Sequence, residues 1–315
     1  MLALPVFLSA CATIPPEVGE LKVSKGSVEL SETPFFPQQQ FQCGPAALAT
    51  ILTSSGATVE LPELVDRVYL PGRQGSLQVE MLAASRTAGR IPYVIDGTVQ
   101  VLWAELSAGR PVVVLQNLGV AAIPRWHFAV VIGLDAEREA VILRSGTDQR
   151  RVTALRTFLK TWRRSDYWGF VVLRPTELPT GVDDLRYLQA VAALEKAGRS
   201  DEAATAWRTA LQTWPHNRVA VFGLGNSLLA AGDNVAAEGY FRKMLESDPT
   251  SVVARNNLAM ALARQARYQD ALQEIQRALQ SNSDPALEPE LRHTEAVIAN
   301  ASRQQEDDKQ AVQQD

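Results

Sequence analysis

The chain is poor in the residues that most cofactor chemistries require. Among its 315 residues there are only two cysteines and three histidines, and no CxxC, HExxH or glycine-rich phosphate loop occurs. Those motifs carry redox, zinc and nucleotide chemistry, so the sequence predicts a function without metal or other cofactor. The formal net charge is −4, from 31 basic and 35 acidic side chains, which argues against nucleic acid as a partner.

Long apolar runs are also scarce, and the one at the N-terminus is short. Residues 1–11 are apolar and end in Leu8-Ser9-Ala10-Cys11. This tetrapeptide resembles a bacterial lipobox, which implies a lipoprotein signal segment, acylation of Cys11 and, from Ala12, an outer-membrane location facing the periplasm. A secretory signal needs a basic start, so we expect basic residues upstream of Met1. A buried strand or a disordered terminus is the alternative, and residues 12–33 are predicted to form a tether.

The second cysteine lies where an apolar helix is predicted to begin. Pro45 suits a first helical turn, because its missing N–H would have no intrahelical partner there, and the run to Leu52 is apolar. Unpaired N–H groups and aligned peptide dipoles at a helix start favour a thiolate, the nucleophilic form of cysteine. Acylation of Cys11 leaves Cys43 without a disulfide partner. We therefore interpret Cys43 as a nucleophile, with a small buried side chain as the alternative.

A nucleophilic thiol needs a base and an oxyanion stabiliser, and the sequence offers a candidate for each. His127 is the only histidine in the N-terminal half, and it opens the run 126–133, whose β-branched and aromatic content predicts a buried strand. Gln38 lies five residues before Cys43. Its side-chain amide and the Cys43 N–H are the two donors expected to form an oxyanion hole.

These residues together resemble the bacteriocin-processing, double-glycine peptidase family, a branch of the papain-like cysteine peptidases. The resemblance rests on Gln38, on Cys43-Gly-Pro-Ala46 and on His127-Phe-Ala-Val-Val-Ile-Gly133. It implies an α+β papain-like cysteine peptidase domain over 34–175, with a Cys/His pair that needs no metal. The activity implied is cleavage of peptide bonds, often after small residues.

The third member of the site departs from that family, in which an Asp on the next strand orients the imidazole. The return strand reads Ala140 to Gln149, and antiparallel counting brings residues 145–148 beside His127. Asp148 is the preferred orienting residue. Ser145, at the motif position itself, and no orienting side chain at all are the alternatives. A missing orienter would lower the rate rather than abolish it.

A different pattern begins after the Pro-rich boundary at 174–181. Alanine-rich helical sequence replaces strands, and residues of matching type recur 34 positions apart. That period resembles the tetratricopeptide repeat, a helix-turn-helix unit, and predicts an all-α repeat domain over 183–302 with a capping helix over 289–302. Residues 303–315 are predicted to be a polar, frayed tail. The recurring positions are Ala203, Ala237 and Ala271, then Trp207, Phe241 and Ile275.

Three functions are compatible with this organisation. The leading hypothesis is an envelope-anchored cysteine peptidase whose repeats recruit a protein partner or substrate. Its expected partners are a peptide or protein substrate, a protein on the repeat groove and, through the N-terminal lipid, the membrane. The second is a catalytically inactive, peptidase-like adaptor that binds peptides through the cleft and the repeats. The third is a transferase or amidase that uses the same Cys/His pair.

Overall fold

The structure is a computed structural model that describes residues 26–120 and 122–314. The segment 1–11 with Cys11, and the tether up to residue 25, lie outside the described residues. The chain divides into two compact units. The first comprises the chain up to Leu173 together with Pro179–Val182, and the second comprises Arg174–Leu178 together with the chain from Asp183 onward. No helix in the described ranges is both long and apolar enough to cross a bilayer.

The first unit is built on an antiparallel sheet. Its described residues form seven strands in the order β2-β7-β3-β4-β5-β6, and β1 pairs with β4. Strands β3 and β4 lie at the centre, and their nearly continuous apolar runs are buried, as expected for strands covered on both faces. The strands are β1 (Ser27–Glu29), β2 (Ile91–Val94), β3 (Val112–Asn117), β4 (Trp126–Asp135), β5 (Ala140–Ser145), β6 (Asp148–Ala154) and β7 (Gly169–Leu173).

Helices cover this sheet, and the first of them carries the candidate nucleophile. Helix α1 packs on β4 and belongs to one hydrophobic core with Phe128, Val130 and Phe170. Its residues from Gly44 to Leu52 are all buried, which explains why small and apolar side chains fill this stretch. The helices of this unit are α1 (Cys43–Ser54), α2 (Leu61–Val68), α3 (Gln78–Thr87), α4 (Val99–Ser107) and α5 (Leu155–Trp162).

Part of the expected tether belongs to the sheet. Val28 pairs with Leu134 in the β1–β4 ladder, and Thr33 is buried. The buried Arg144 guanidinium donates hydrogen bonds to the carbonyl oxygens of Thr33 (2.7 Å) and Ser31 (2.7 Å). A strand this short carries too little pattern to be distinguished from a linker by sequence, so the predicted tether over 12–33 is wrong from residue 27 onward.

The second unit is all-helical, as predicted. Its helices form three successive antiparallel pairs, and Trp207, Phe241 and Ile275 are each at most 1% exposed between them. The four side chains Asp183, Asn217, Asp233 and Ser251 cap helix starts by accepting a backbone N–H. The helices are α6 (Asp184–Lys196), α7 (Ser200–Thr213), α8 (Arg218–Ala230), α9 (Asn234–Ser247), α10 (Val252–Ala263), α11 (Tyr268–Ser281) and α12 (Glu288–Gln314).

The last helix corrects the expected frayed tail. Helix α12 runs from Glu288 to Gln314, so residues 303–314 continue the predicted capping helix. The tail lacks proline and glycine, and five of its thirteen residues are Gln, which is a good helix former. Its polar composition indicates exposure to solvent, and an exposed segment can still be helical.

Candidate active site

The thiol of Cys43 lies at the start of α1, against β4. Gln42 is the N-cap and makes no side-chain capping bond, so helix-terminal N–H groups stay available to a ligand. Burial raises the pKa of the Cys43 thiol, while hydrogen bonds from the backbone N–H groups of Phe128, Gly44 and Cys43 itself lower it. Cys43 and Phe128, the residue that follows His127, line the same cleft, so the candidate nucleophile lies near the start of the strand that carries the candidate base.

Gly44 is required by a close approach of two chain segments. A Cβ atom built on Gly44 would lie 2.3 Å from Ser76 Oγ, closer than side-chain carbons are found. Ser76 belongs to the loop before α3, where its hydroxyl is buried without a hydrogen-bond partner in the described residues. We infer that glycine follows the cysteine because the loop before α3 closes over the first turn of α1.

The imidazole of His127 is half-buried near the start of β4. Its backbone pairs with Gln116 of β3, whose side-chain amide donates to Thr161 Oγ1 at 2.7 Å. His127 Nε2 lies 2.8 Å from Ser145 Oγ, on the neighbouring strand β5. That contact leaves Nδ1 as the nitrogen available to a thiol.

The surroundings of His127 favour an uncharged ring. Burial, with the positive charge of Arg151 adding to it, lowers the pKa of His127 to about 4. Ser145 is 6% exposed and supplies a neutral hydroxyl. A carboxylate at that position would instead raise the pKa of His127. At neutral pH the ring is therefore an uncharged imidazole, which is the form that accepts a proton.

Asp148 does not lie at the imidazole, so the structure corrects the prediction that Asp148 orients His127. The return strand ends at Ser145, and the chain turns at once, with Gly146 at φ +67°. Asp148 starts β6, pairs with Ser145 across the turn and has a side chain that is 57% exposed, 3.7 Å from Arg151. Antiparallel counting from the sequence extended β5 by three residues, because a single glycine was the only sequence signal of the turn.

Gln38 reaches the cleft because the chain before it is fixed to β5. The Gln38 N–H donates to the carbonyl oxygen of Gly146 at 3.2 Å. Arg144 holds the preceding segment through Ser31 and Thr33, as described above. Gln38 then lines one narrow cleft together with Cys43, Phe128 and Ser145.

Two of the four predicted catalytic positions, Cys43 and Gln38, line one cleft. A third, His127, contacts Ser145 of the same lining. Sequence reasoning missed Arg144 and Arg151, since an arginine within or after a strand carries no signal of its surroundings. Within residues 26–120 and 122–314, no three His, Cys, Asp or Glu side chains gather in a group suited to a metal ion.

A model described as "Peptidase_C39 like family" matches residues 30–169, and two models described as "Tetratricopeptide repeat" match residues 187–252 and 228–288. The chain combines a C39-like peptidase domain with tetratricopeptide repeats. Its predicted fold class, an α+β papain-like domain followed by an all-α repeat domain, is confirmed.

Solved structures resemble each of the two parts. A putative C39-like peptidase from Bacillus anthracis is 18% identical, with 48% of this chain and 98% of that one covered and a TM-score of 0.40. The double glycine motif protease from an AMS/PCAT transporter, in complex with the leader peptide, is 17% identical over 45% and 91% at a TM-score of 0.34. The first repeat domain of human RPAP3 is 16% identical over 38% and 95%, also at 0.34. No curated protein matches the chain significantly.

Exposed apolar side chains flank the candidate residues of the C39-like domain. Phe41 precedes Cys43 and is 42% exposed, and Trp126 precedes His127 and is 53% exposed. Asn117 Oδ1 shapes the loop before Trp126 by accepting the N–H groups of Gly119 and Arg125, both at 2.9 Å. The same loop exposes three further apolar side chains, Leu118, Val120 and Ile123.

Proposed function

We propose that this chain is a cysteine peptidase whose repeats recruit a protein partner or substrate. One observation carries the proposal: Cys43, at a helix start, lines a cleft together with Ser145, and the Ser145 hydroxyl lies 2.8 Å from His127 Nε2. This supports a thiol and a strand-borne imidazole at the same cleft, which is the arrangement that nucleophilic catalysis needs. A C39-like domain in the same residues supports this reading.

The geometry supports a two-stage hydrolysis. His127 Nδ1 takes the proton of Cys43 as the sulfur attacks the peptide carbonyl carbon, and the oxyanion is held by the Cys43 N–H and the Gln38 side-chain amide. The carbon–nitrogen bond then breaks, and the leaving amine takes the proton from His127. Water, deprotonated by the same imidazole, attacks the thioester, so the acid is released and the thiol is restored.

The experiment that tests this uses peptides with small residues before the bond to be cleaved. The protein carries Cys11→Ser, which makes Cys43 the only thiol in the chain. We expect turnover that is lost in Cys43→Ala and falls at least about a thousandfold in His127→Ala. Peptide binding without cleavage by the protein with an intact site would contradict the proposal.

Anchoring to the cell envelope is a separate part of the proposal. It is supported by the lipobox-like Leu8-Ser9-Ala10-Cys11, which lies outside the described residues. Cells that express the full chain with a labelled fatty acid should incorporate label and retain the protein in the membrane fraction. Cys11→Ser should abolish both, and unchanged labelling in that variant would refute acylation at Cys11.

An inactive, peptide-binding adaptor is the second candidate. It is favoured by the hydroxyl of Ser145 at His127 Nε2, where the family that this domain resembles has a carboxylate. In that case, peptides bind with equal affinity to the Cys43→Ala variant and are never cut, and Cys43→Ser leaves the cellular function unchanged. Turnover is the measurement that separates the two candidates.

A further inference from the structure

We propose that Ser145 is the positioning residue of this site, and that it holds Cys43 and His127 as an uncharged thiol–imidazole pair at rest, so that thiol reactivity rises with pH through neutrality. This rests on the pairing of Cys43 with His127 in the proposed function. It differs from a carboxylate-supported site, in which a thiolate–imidazolium pair is already present in mild acid.

The contact with Ser145 fixes the ring without charging it. Ser145 Oγ lies 2.8 Å from His127 Nε2, and Ser145 is buried near the end of β5. As an acceptor, the hydroxyl keeps the proton on Nε2 and leaves Nδ1 free to take a proton from sulfur. A hydroxyl has no net charge, so it orients the imidazole but stabilises an imidazolium far less than a carboxylate would.

The other groups around the ring do not supply the missing negative charge. Strand β3 contributes the neutral Gln116, which pairs with His127. Strand β6 contributes Arg151, whose positive charge acts against an imidazolium, and Asp148, which is exposed and paired with that arginine. Burial favours the uncharged form of both partners, because it lowers the pKa of His127 and raises the pKa of Cys43.

The resting pair therefore keeps its proton on sulfur, and the thiolate forms only as the pH rises. In alkylation the Sγ–H proton passes through Nδ1 to solvent base, the Sγ–C bond forms as the C–I bond breaks, and iodide leaves, while Nε2–H remains hydrogen-bonded to Ser145 Oγ. Iodoacetamide therefore reports how readily the thiol gives up its proton. Arg151 disfavours the imidazolium at every stage of that transfer.

The test is the pH dependence of Cys43 alkylation by iodoacetamide in the full chain carrying Cys11→Ser. We expect a rate that climbs steadily from about pH 5 to about pH 9, and the ultraviolet absorbance of the thiolate should rise with it. The profile should have no acid plateau, meaning no range of acidic pH over which the rate stays constant. Ser145→Asp should add a plateau and raise the rate at about pH 6 at least about tenfold. Asp148→Asn, a matched removal of a carboxylate three residues away, should leave the profile unchanged.

Positioning is tested separately from charge by two smaller changes. Ser145→Ala should lower kcat for peptide cleavage about tenfold with little change in KM, whereas Ser145→Thr, which keeps a hydroxyl, should restore most of it. Circular dichroism checks the fold of each variant. If the Asp variant does not fold, the Ala/Thr pair still decides the positioning role, and the pH profile of the protein with Ser145 intact decides the charge of the pair. Equal kcat for Ala and Thr would overturn the positioning role.

An acid plateau in the protein with Ser145 intact would overturn the uncharged pair, and its loss in Asp148→Asn would assign the orienting role to Asp148. A folded Ser145→Asp protein with an unaltered profile would overturn the proposal as well. The proposed function fails independently: if no peptide is cut but alkylation follows the stated profiles, the pair is as described and the peptidase assignment is wrong.

Discussion

A Cβ atom on Gly44 would lie 2.3 Å from Ser76 Oγ and 2.6 Å from Ser76 Cβ, so the first turn of α1 and the loop before α3 are in direct contact. Gly44→Ala forces these segments apart, and we expect it to lower the free energy of unfolding by about 1 to 3 kcal/mol. Because the thiol lies one residue away, alkylation of Cys43 should change as well.

Urea unfolding and iodoacetamide alkylation measure the two effects of Gly44→Ala. Ser76→Gly removes both atoms that the new methyl group would meet, so the double variant should regain most of the lost stability. A double variant that is as unstable as the sum of the two single variants would show that Gly44 is needed for another reason.

Glu105 forms a buried ion pair that also fixes the chain after β7. Its side chain is fully buried, 2.5 Å from Arg110 Nε, and it accepts the N–H (2.7 Å) and the hydroxyl (2.5 Å) of Thr180. Glu105→Ala leaves these donors without an acceptor, so we expect a loss of about 3 kcal/mol in urea unfolding. The exposed Glu137→Ala is the control and should cost under about 0.5 kcal/mol; a similar cost for both would contradict this account.

Stability should fall in mild acid because of His127. The folded pKa is about 4 against an ordinary value of 6.5, so between these values the unfolded chain binds more protons. The free energy of unfolding therefore decreases as pH falls from about 6.5 to about 4, by about 1 to 3 kcal/mol from this residue. His127→Gln should remove that part of the slope, and urea unfolding at several pH values measures it. A slope identical in both proteins would mean that the ring is charged when folded.

Trp126 is exposed beside the candidate base and should affect substrates more than stability. We expect Trp126→Ala to raise KM for apolar peptides about three- to tenfold, with an unfolding free energy within about 0.5 kcal/mol of the parent. Val152→Ala is the control, because Val152 is 54% exposed and pairs with Ile142, away from the Ser145 end of the hairpin. If both variants raise KM equally, the effect of Trp126 is not local.

The repeat helices offer a matched pair of substitutions on α9. Phe241 is fully buried between helices, and Val235 on the same helix is 70% exposed. Phe241→Ala should destabilise the protein by about 3 to 5 kcal/mol, and Val235→Ala should change it by less than about 0.5 kcal/mol. Thermal unfolding followed by circular dichroism compares them. Equal effects would contradict the packing that the 34-residue period predicts.

Elements with a strong pattern were predictable from the sequence. The helix at Cys43 begins where Pro45 and the apolar run placed it. The predicted strand over 126–133 is present and continues two residues further, to Asp135. In each case one local rule, either a proline at the helix start or a buried apolar run, was sufficient.

The contacts between strands were not predictable in the same way. The register of β4 with β5 shifts between Val131 and Gly133, and the turn after Ser145 is tight, so simple counting moved Asp148 to the wrong place. The surroundings of His127 depend on this register, because β6 brings Arg151 to the ring and leaves Asp148 in solvent. A one-residue shift reverses the face of every side chain on a strand, and sequence alone does not fix it.

The short strand β1 also decides where the chain leaves the sheet. Ser27 pairs with Asp135, at the opposite end of β4 from His127, and eight residues of strand span roughly 25 Å. A load that reaches β1 therefore enters the sheet at the end of β4 that lies away from the imidazole.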